Sequence, residues 1–127
     1  MEYLLDTHAF LWFINGSIEL SPQAKDIIQN PKNTMYLSIV SFWEIAIKLN
    51  IGKLAIDMSF DELKQEADKN YFIILPIQYE DTRIITTLEL LHKDPFDRIL
   101  IAQAIHNNLT LITRDTNFYA YPVKIIW

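Results

Sequence analysis

Asp94-Pro95-Phe96-Asp97-Arg98-Ile99-Leu100-Ile101-Ala102-Gln103-Ala104-Ile105-His106-Asn107-Asn108-Leu109-Thr110-Leu111-Ile112-Thr113-Arg114-Asp115 is the stretch that decides the fold. An aspartate followed by proline is a helix start: the carboxylate caps free amides and the ring presets the first φ angle. The helix it opens runs to about Asn107. Thr110–Thr113 is then short, apolar and β-branched, as a strand buried on both faces should be. A helix delivered directly into such a strand is one limb of a parallel crossover unit.

Working outward, the same alternation recurs. Glu2–Leu5 is an apolar run closed by Asp6, and Thr7–Ile14 reads as a helix ended near Asn15-Gly16. Ser21-Pro22 opens a helix to about Asn30, and Thr34–Leu37 is a second strand. Ser38 caps a helix over about Val40–Asn50, with Gly52 just past its end. The part around Phe42–Leu49 is apolar on most of its circumference, so it is expected to be well buried. Ser59 or Asp61 starts a helix to about Asn70, Tyr71–Leu75 is a third strand, and Glu80–Leu91 is predicted helical. Val123–Trp127 supplies a fifth strand. Strands alternating with helices imply an α/β fold: parallel strands, right-handed crossovers and helices on both faces.

The bulk numbers set bounds. A chain of 127 residues fits one domain, so 1–127 is expected to fold as a unit. No cysteine is present, which excludes disulfides and thiolate metal sites. Only 2 glycines remove any Gly-rich phosphate loop. No segment has the roughly 20 apolar residues of a membrane span, and no secretory signal is visible. A cytoplasmic location without membrane attachment is expected. The net charge of −5 argues against a protein that coats nucleic acid generally, but not against an enzyme that gathers its acids in one place.

The topology says where the acids go. Ligands of an open α/β sheet bind beyond the carboxyl ends of its strands. Asp6 directly follows the first strand. Glu44 lies in the second turn of the helix leaving the second strand. Asp94 and Asp97 start a helix that precedes a parallel strand, so they begin at the same edge. Asp115 comes two residues after the fourth strand. Each has a bland reading. Asp6, Asp94 and Asp115 can cap the turns that follow, and capping is the favoured role for Asp94. Glu44 and Lys48 form an i,i+4 pair of about 0.2–0.5 kcal/mol. The bland readings do not explain why five acids converge. Clustered carboxylates repel, and hard divalent cations such as Mg²⁺ or Mn²⁺ relieve them through oxygen ligands. Such ions promote phosphodiester hydrolysis. Scattered histidines and no cysteine speak against zinc.

At these residues the sequence resembles the PIN-domain family, in particular its VapC-type toxins. The matching stretches are Leu4-Leu5-Asp6-Thr7-His8, Ser41-Phe42-Trp43-Glu44-Ile45-Ala46-Ile47-Lys48, Asp94–Ala104 and Leu111-Ile112-Thr113-Arg114-Asp115. Each is weak alone, but the ordered set is specific and spreads over almost the whole chain. The resemblance implies a three-layer α/β/α fold with about five parallel strands in the order 3-2-1-4-5. It implies a Mg²⁺- or Mn²⁺-dependent endoribonuclease with Asp6, Glu44, Asp97 and Asp115 as its acidic site. Thr7 and Thr113 would stand one layer behind, and Asp94 is an extra acid that either assists or caps. The resemblance also implies an RNA substrate, a homodimer and a cognate antitoxin protein that enters the active-site groove.

In the hydrolysis this suggests, Asp6, Asp97 and Asp115 hold the principal ion, and Glu44 completes the shell or orients the water. Lys48, Lys53, Lys93, Arg98 and Arg114 flank the rim as phosphate contacts, with Arg98 and Arg114 favoured because each follows a proposed ligand. Trp12, Phe13 or Trp43 would stack on bases if exposed, although core or interface roles are commoner. His8 lies near the rim, while His92 and His106 are assigned ordinary surface or structural roles. Two rival readings share the architecture. A phosphoacceptor or phosphatase-like domain needs a second acid near the first and a late-strand lysine, and here Thr7 and His8 follow Asp6. A non-catalytic binding module would not need the complete acid set. Cleavage of DNA instead of RNA is a further possibility that metal chemistry alone does not exclude.

Overall fold

The computed structural model describes residues 1–127. The chain runs β1 (Glu2–Leu5), α1 (Thr7–Ile14), α2 (Pro22–Gln29), β2 (Thr34–Ser38), α3 (Ile39–Asn50), α4 (Phe60–Lys69), β3 (Ile73–Leu75), α5 (Tyr79–Ile85), α6 (Pro95–Asn107), β4 (Thr110–Ile112), a 3₁₀ turn (Thr116–Ala120) and β5 (Ile125–Ile126). The five strands form one sheet in the order β3-β2-β1-β4-β5, with every neighbouring pair parallel. The central strand β1 places Leu5 opposite Leu37 on one side and Ile112 on the other. Asp6 and Thr113 therefore leave the sheet together at its carboxyl edge, beside Ser38, the last residue of β2.

Alternation along β1 divides the core. Tyr3 and Leu5 face a cluster with Phe10, Ala24, Phe42, Ile45 and Leu63, which puts α1 to α4 on that face. Leu4 faces the opposite cluster, with Leu100, Ile101, Ala104 and Phe118, so α6 and the 3₁₀ turn cover the second face. Burying each of these large apolar side chains contributes roughly 1.5–3 kcal/mol, and burial on both faces explains why the strands read as unbroken apolar runs. The result is a three-layer α/β/α arrangement. No helix is long and apolar enough to cross a membrane.

Local chemistry sets the boundaries. Ser21, Ser38 and Ser59 cap their helices, and Ser59 completes a capping box with Glu62. Asp94 caps α6 ahead of Pro95, and Asn108 ends that helix in the left-handed region at φ 52°.

Three expectations need correction. The third strand is shorter than Tyr71–Leu75, because Tyr71 adopts a left-handed φ of 59° and is exposed. The helix expected over Glu80–Leu91 ends at Ile85. Beyond it, groups that would continue the helical ladder are taken elsewhere: Arg98 donates to the carbonyls of Leu88 and Glu89, and the Tyr121 hydroxyl accepts from the amides of Leu91 and His92. Tertiary bonds override helix propensity there. Finally, α3 is only half buried. Val40, Phe42 and Ile45 face inward, while Ile39, Trp43 and Ile47 form an exposed apolar strip.

Candidate active site

The carboxyl edge of the sheet carries a pocket of about 190 Å³ lined by Asp6, Thr7, His8, Glu44, Lys48, His92, Asp94, Asp97, Asp115 and Phe118. All five acids expected at the rim meet in it. Separate elements deliver them: the end of β1, the second turn of α3, the start of α6 and the turn after β4. Larger hollows exist elsewhere, but none combines this many ionisable groups.

Each acid is oriented by named donors. Asp6 is buried; its Oδ1 accepts from the Ala9 amide at 2.7 Å and its Oδ2 from the Thr113 hydroxyl at 2.5 Å. It thus caps α1 and faces the pocket at once. Thr113 Oγ1 in turn accepts from the Asp115 amide at 3.0 Å, which couples the ends of β1 and β4. Glu44 is also buried. Its Oε1 accepts from the Thr7 hydroxyl at 2.7 Å, which lies 3.0 Å from the Ser41 hydroxyl, and its Oε2 pairs with Lys48 at 2.8 Å. Asp115 caps the 3₁₀ turn through the Asn117 amide. Asp94 Oδ1 accepts from the amides of Phe96 and Asp97, so its capping role is realised, at the pocket wall.

The electrostatics follow chiefly from burial, with neighbouring charge added to it. Burial raises the pKa of Asp6, an effect opposed by the Thr113 hydroxyl, the Ala9 amide and His8, and reinforced by Asp115. Burial likewise pushes Asp97 up to about 6, with the charges of Asp94 and Glu44 adding to it and His92 opposing. Against five carboxylates the pocket offers one lysine, Lys48. The five carboxylates supply hard oxygens, beside the imidazoles of His8 and His92 and with no thiolate. This donor set fits a divalent cation of the Mg²⁺ or Mn²⁺ kind and not a soft metal.

The flanking residues divide. Lys48 lines the pocket as expected. Arg114 lines an adjoining hollow of about 250 Å³ with Asp6, His8, Trp12 and Asp115. Its guanidinium lies 4.4 Å over the Trp12 ring, pairs with Glu19 and is half exposed. Arg98 departs from expectation and is no phosphate contact. It is buried, and its guanidinium donates to the carbonyls of Glu89, Leu88 and His92 and to the Tyr121 hydroxyl. Its place on α6 turns it behind the pocket, away from the rim that Asp97 faces. Phe13 packs on Phe72 in the core side, whereas Trp43 is exposed and meets Phe96 edge-on. His106 pairs with buried Asp81 at 2.9 Å and is structural, as expected.

The sequence reading missed His92. It lines the pocket, and its Nε2 lies 2.7 Å from Asp97 Oδ2. One ligand atom from each of His92, Asp94 and Asp97 falls within 4.8 Å of the others. The only local signal is position: His92 stands two residues ahead of the α6 cap, where the chain turns into the pocket.

Residues 3–124 match the family model described as "PIN domain". No curated protein matches the chain by sequence. Among solved structures, VapBC2 from Rickettsia felis bound to a DNA fragment from its promoter matches at TM-score 0.71 and 19% identity, over 99% of this chain and 98% of that one. A toxin–antitoxin complex from Klebsiella pneumoniae matches at TM-score 0.66 and 22% identity, over 98% and 96%. VapBC-1 from nontypeable Haemophilus influenzae matches at 0.69 and 18%, over 99% and 97%. At these identities the likeness is one of fold.

Proposed function

The chain belongs to the PIN-domain family, and from that premise we propose that it is a divalent-metal-dependent endoribonuclease, the toxin half of a toxin–antitoxin pair acting in the cytoplasm. The observation that carries this reading is the meeting of five carboxylates from separate segments in one small pocket. Asp6, Asp97 and Asp115 would hold a Mg²⁺ or Mn²⁺ ion, with Glu44 completing the set. Bound there, the ion supplies positive charge to a phosphodiester and lowers the pKa of water.

The chain's own residues do the rest. Thr113 and Thr7 hold Asp6 and Glu44 in fixed rotamers, so neither carboxylate must reorganise when substrate arrives. Lys48 neutralises Glu44 at the mouth of the pocket and places a cation where phosphate approaches. Arg114, spread over Trp12 beside Asp6 and Asp115, is the second phosphate contact. Histidine is not needed as a general base in this scheme. Residues 1–127 act as one catalytic domain. The exposed apolar strip of Ile39, Trp43 and Ile47 supports a protein partner, either a cognate antitoxin or a second copy in a homodimer.

The test is cleavage of a single-stranded RNA, and of DNA of the same sequence, with and without Mg²⁺. Wild type cuts the RNA only with the ion. Asp6→Asn lowers the rate by at least about 100-fold, the scale of losing one preorganised charged contact. Cleavage that persists in this variant with the same Mg²⁺ requirement would rule out the mechanism. Cleavage of the DNA alone would overturn the substrate assignment.

A further inference from the structure

The carboxylates of the pocket share a pattern. Asp6 has the Thr113 hydroxyl and the Ala9 amide, Glu44 has Thr7 and Lys48, Asp115 has the Asn117 amide, and Asp94 has two amides of its own helix. Asp97 has one protein partner, His92, at 2.7 Å. An ionised carboxylate can only accept, so His92 meets it as a donor through Nε2. That contact leaves Oδ1 of Asp97 free of protein bonds. His92 therefore stands to Asp97 as Thr113 stands to Asp6.

The route by which His92 gets there is the second observation. It lies in an irregular loop after α5 that has no secondary structure to place it. A buried guanidinium, Arg98, donates to three carbonyls of this loop: Leu88, Glu89 and His92 itself. No carboxylate pairs with Arg98, which is unusual for a buried charge. The hydroxyl of Tyr121, from the far end of the chain, accepts from the amides of Leu91 and His92 and from Arg98. Two buried side chains from other elements thus fix the backbone of one residue. Of the residues of this loop ahead of the α6 cap, His92 alone lines the pocket.

We propose that His92 is the positioning residue for Asp97, carried to it by a clamp of Arg98 and Tyr121. The proposal rests on the metal-dependent reading above and adds a residue to it. His92 does not touch the substrate; it fixes the rotamer of Asp97 and leaves one oxygen free for the ion. Partners of this kind typically matter by about 10–100-fold in metal affinity.

The experiment is Mn²⁺ binding by titration calorimetry to the full chain, for wild type, His92→Ala, His92→Gln and Tyr121→Phe, each checked by circular dichroism for an unchanged fold. His92→Ala should weaken binding by about 10-fold or more with unchanged stoichiometry. His92→Gln should recover most of the loss, because its amide donor reaches the position of Nε2. Tyr121→Phe should fall between the two. The proposal is overturned if His92→Ala binds as wild type does, if glutamine restores nothing, or if pulsed EPR of bound Mn²⁺ shows a directly coordinated imidazole nitrogen that His92→Ala removes, which would make His92 a ligand. Wild-type affinity in Tyr121→Phe overturns the clamp. A wild-type chain that binds no Mn²⁺ is a different result: it sinks the metal-dependent reading, and this proposal with it.

Discussion

The two walls of the carboxylate pocket are built by different means. On one, Asp6 and Glu44 are met by Thr113 and Thr7, hydroxyls that lie at the end of β4 and the start of α1, both buried. Sheet register and helix phase put those donors in place. On the other wall, Asp97 is met by His92 from an irregular loop, and the loop is held by side-chain bonds from Arg98 and Tyr121. The first wall is as rigid as the sheet itself. The second is only as rigid as a few polar contacts, so a substitution well behind the pocket can reach it.

That contrast can be broken experimentally. The largest effect belongs to Thr113→Val, which removes the only hydroxyl on a buried carboxylate while nearly conserving volume. Mn²⁺ affinity should fall towards the upper end of about 10–100-fold, and stability by about 1–3 kcal/mol in denaturant unfolding. Arg98→Met should act on the other wall alone. Loss of its bonds to partly buried carbonyls should cost about 2 kcal/mol, with a metal-affinity loss of about 10-fold, smaller than that of Thr113→Val. Equal losses in metal affinity for the two variants would mean that the walls are not mechanically distinct.

The smallest effect is a pH dependence. Asp97 has a pKa of about 6 in the folded protein, chiefly through burial, against 3.8 when exposed. The folded state thus holds a proton that the unfolded chain releases. The stabilisation from Asp97 is complete below about pH 4 and is lost as pH rises through about 6. Asp6 shifts in the same direction and adds to the slope. In metal-free protein the thermal midpoint should fall over that window, and Asp97→Asn should flatten the fall. A slope identical in that variant would show that burial does not raise Asp97.

The same contrast explains what could be read from the sequence. The positions of Asp6, Glu44 and Asp115 at the rim are legible because a residue just past a parallel strand, or one turn into the following helix, has nowhere else to go. The sheet order came from a resemblance and agrees with the observed pairing. The second wall was misread because its logic is not local. Arg98 follows Asp97 and so looked like a phosphate contact, but one position along a helix is a rotation of about 100°, which carries it off the pocket face. The end of α5 and the inward turn of His92 depend on Tyr121, whose hydrogen bonds to this loop span 29 and 30 residues. The exposure of Trp43 was equally hidden, since an apolar helix looks the same whether another element of the fold covers it or none does.

The bond between Thr113 and Asp6 joins residues 107 apart in sequence. A ribosome that has finished the first strand and its aspartate must translate most of the chain before the hydroxyl that orients that aspartate exists. β1 also waits for its second neighbour, β4, over the same interval. Growing chains and fragments cut short of Thr113 therefore carry Asp6 and Glu44 without the hydroxyl that orients Asp6, and without Asp115. The order of synthesis thus sets an order of assembly: the first carboxylate of the pocket to be made is among the last to be oriented.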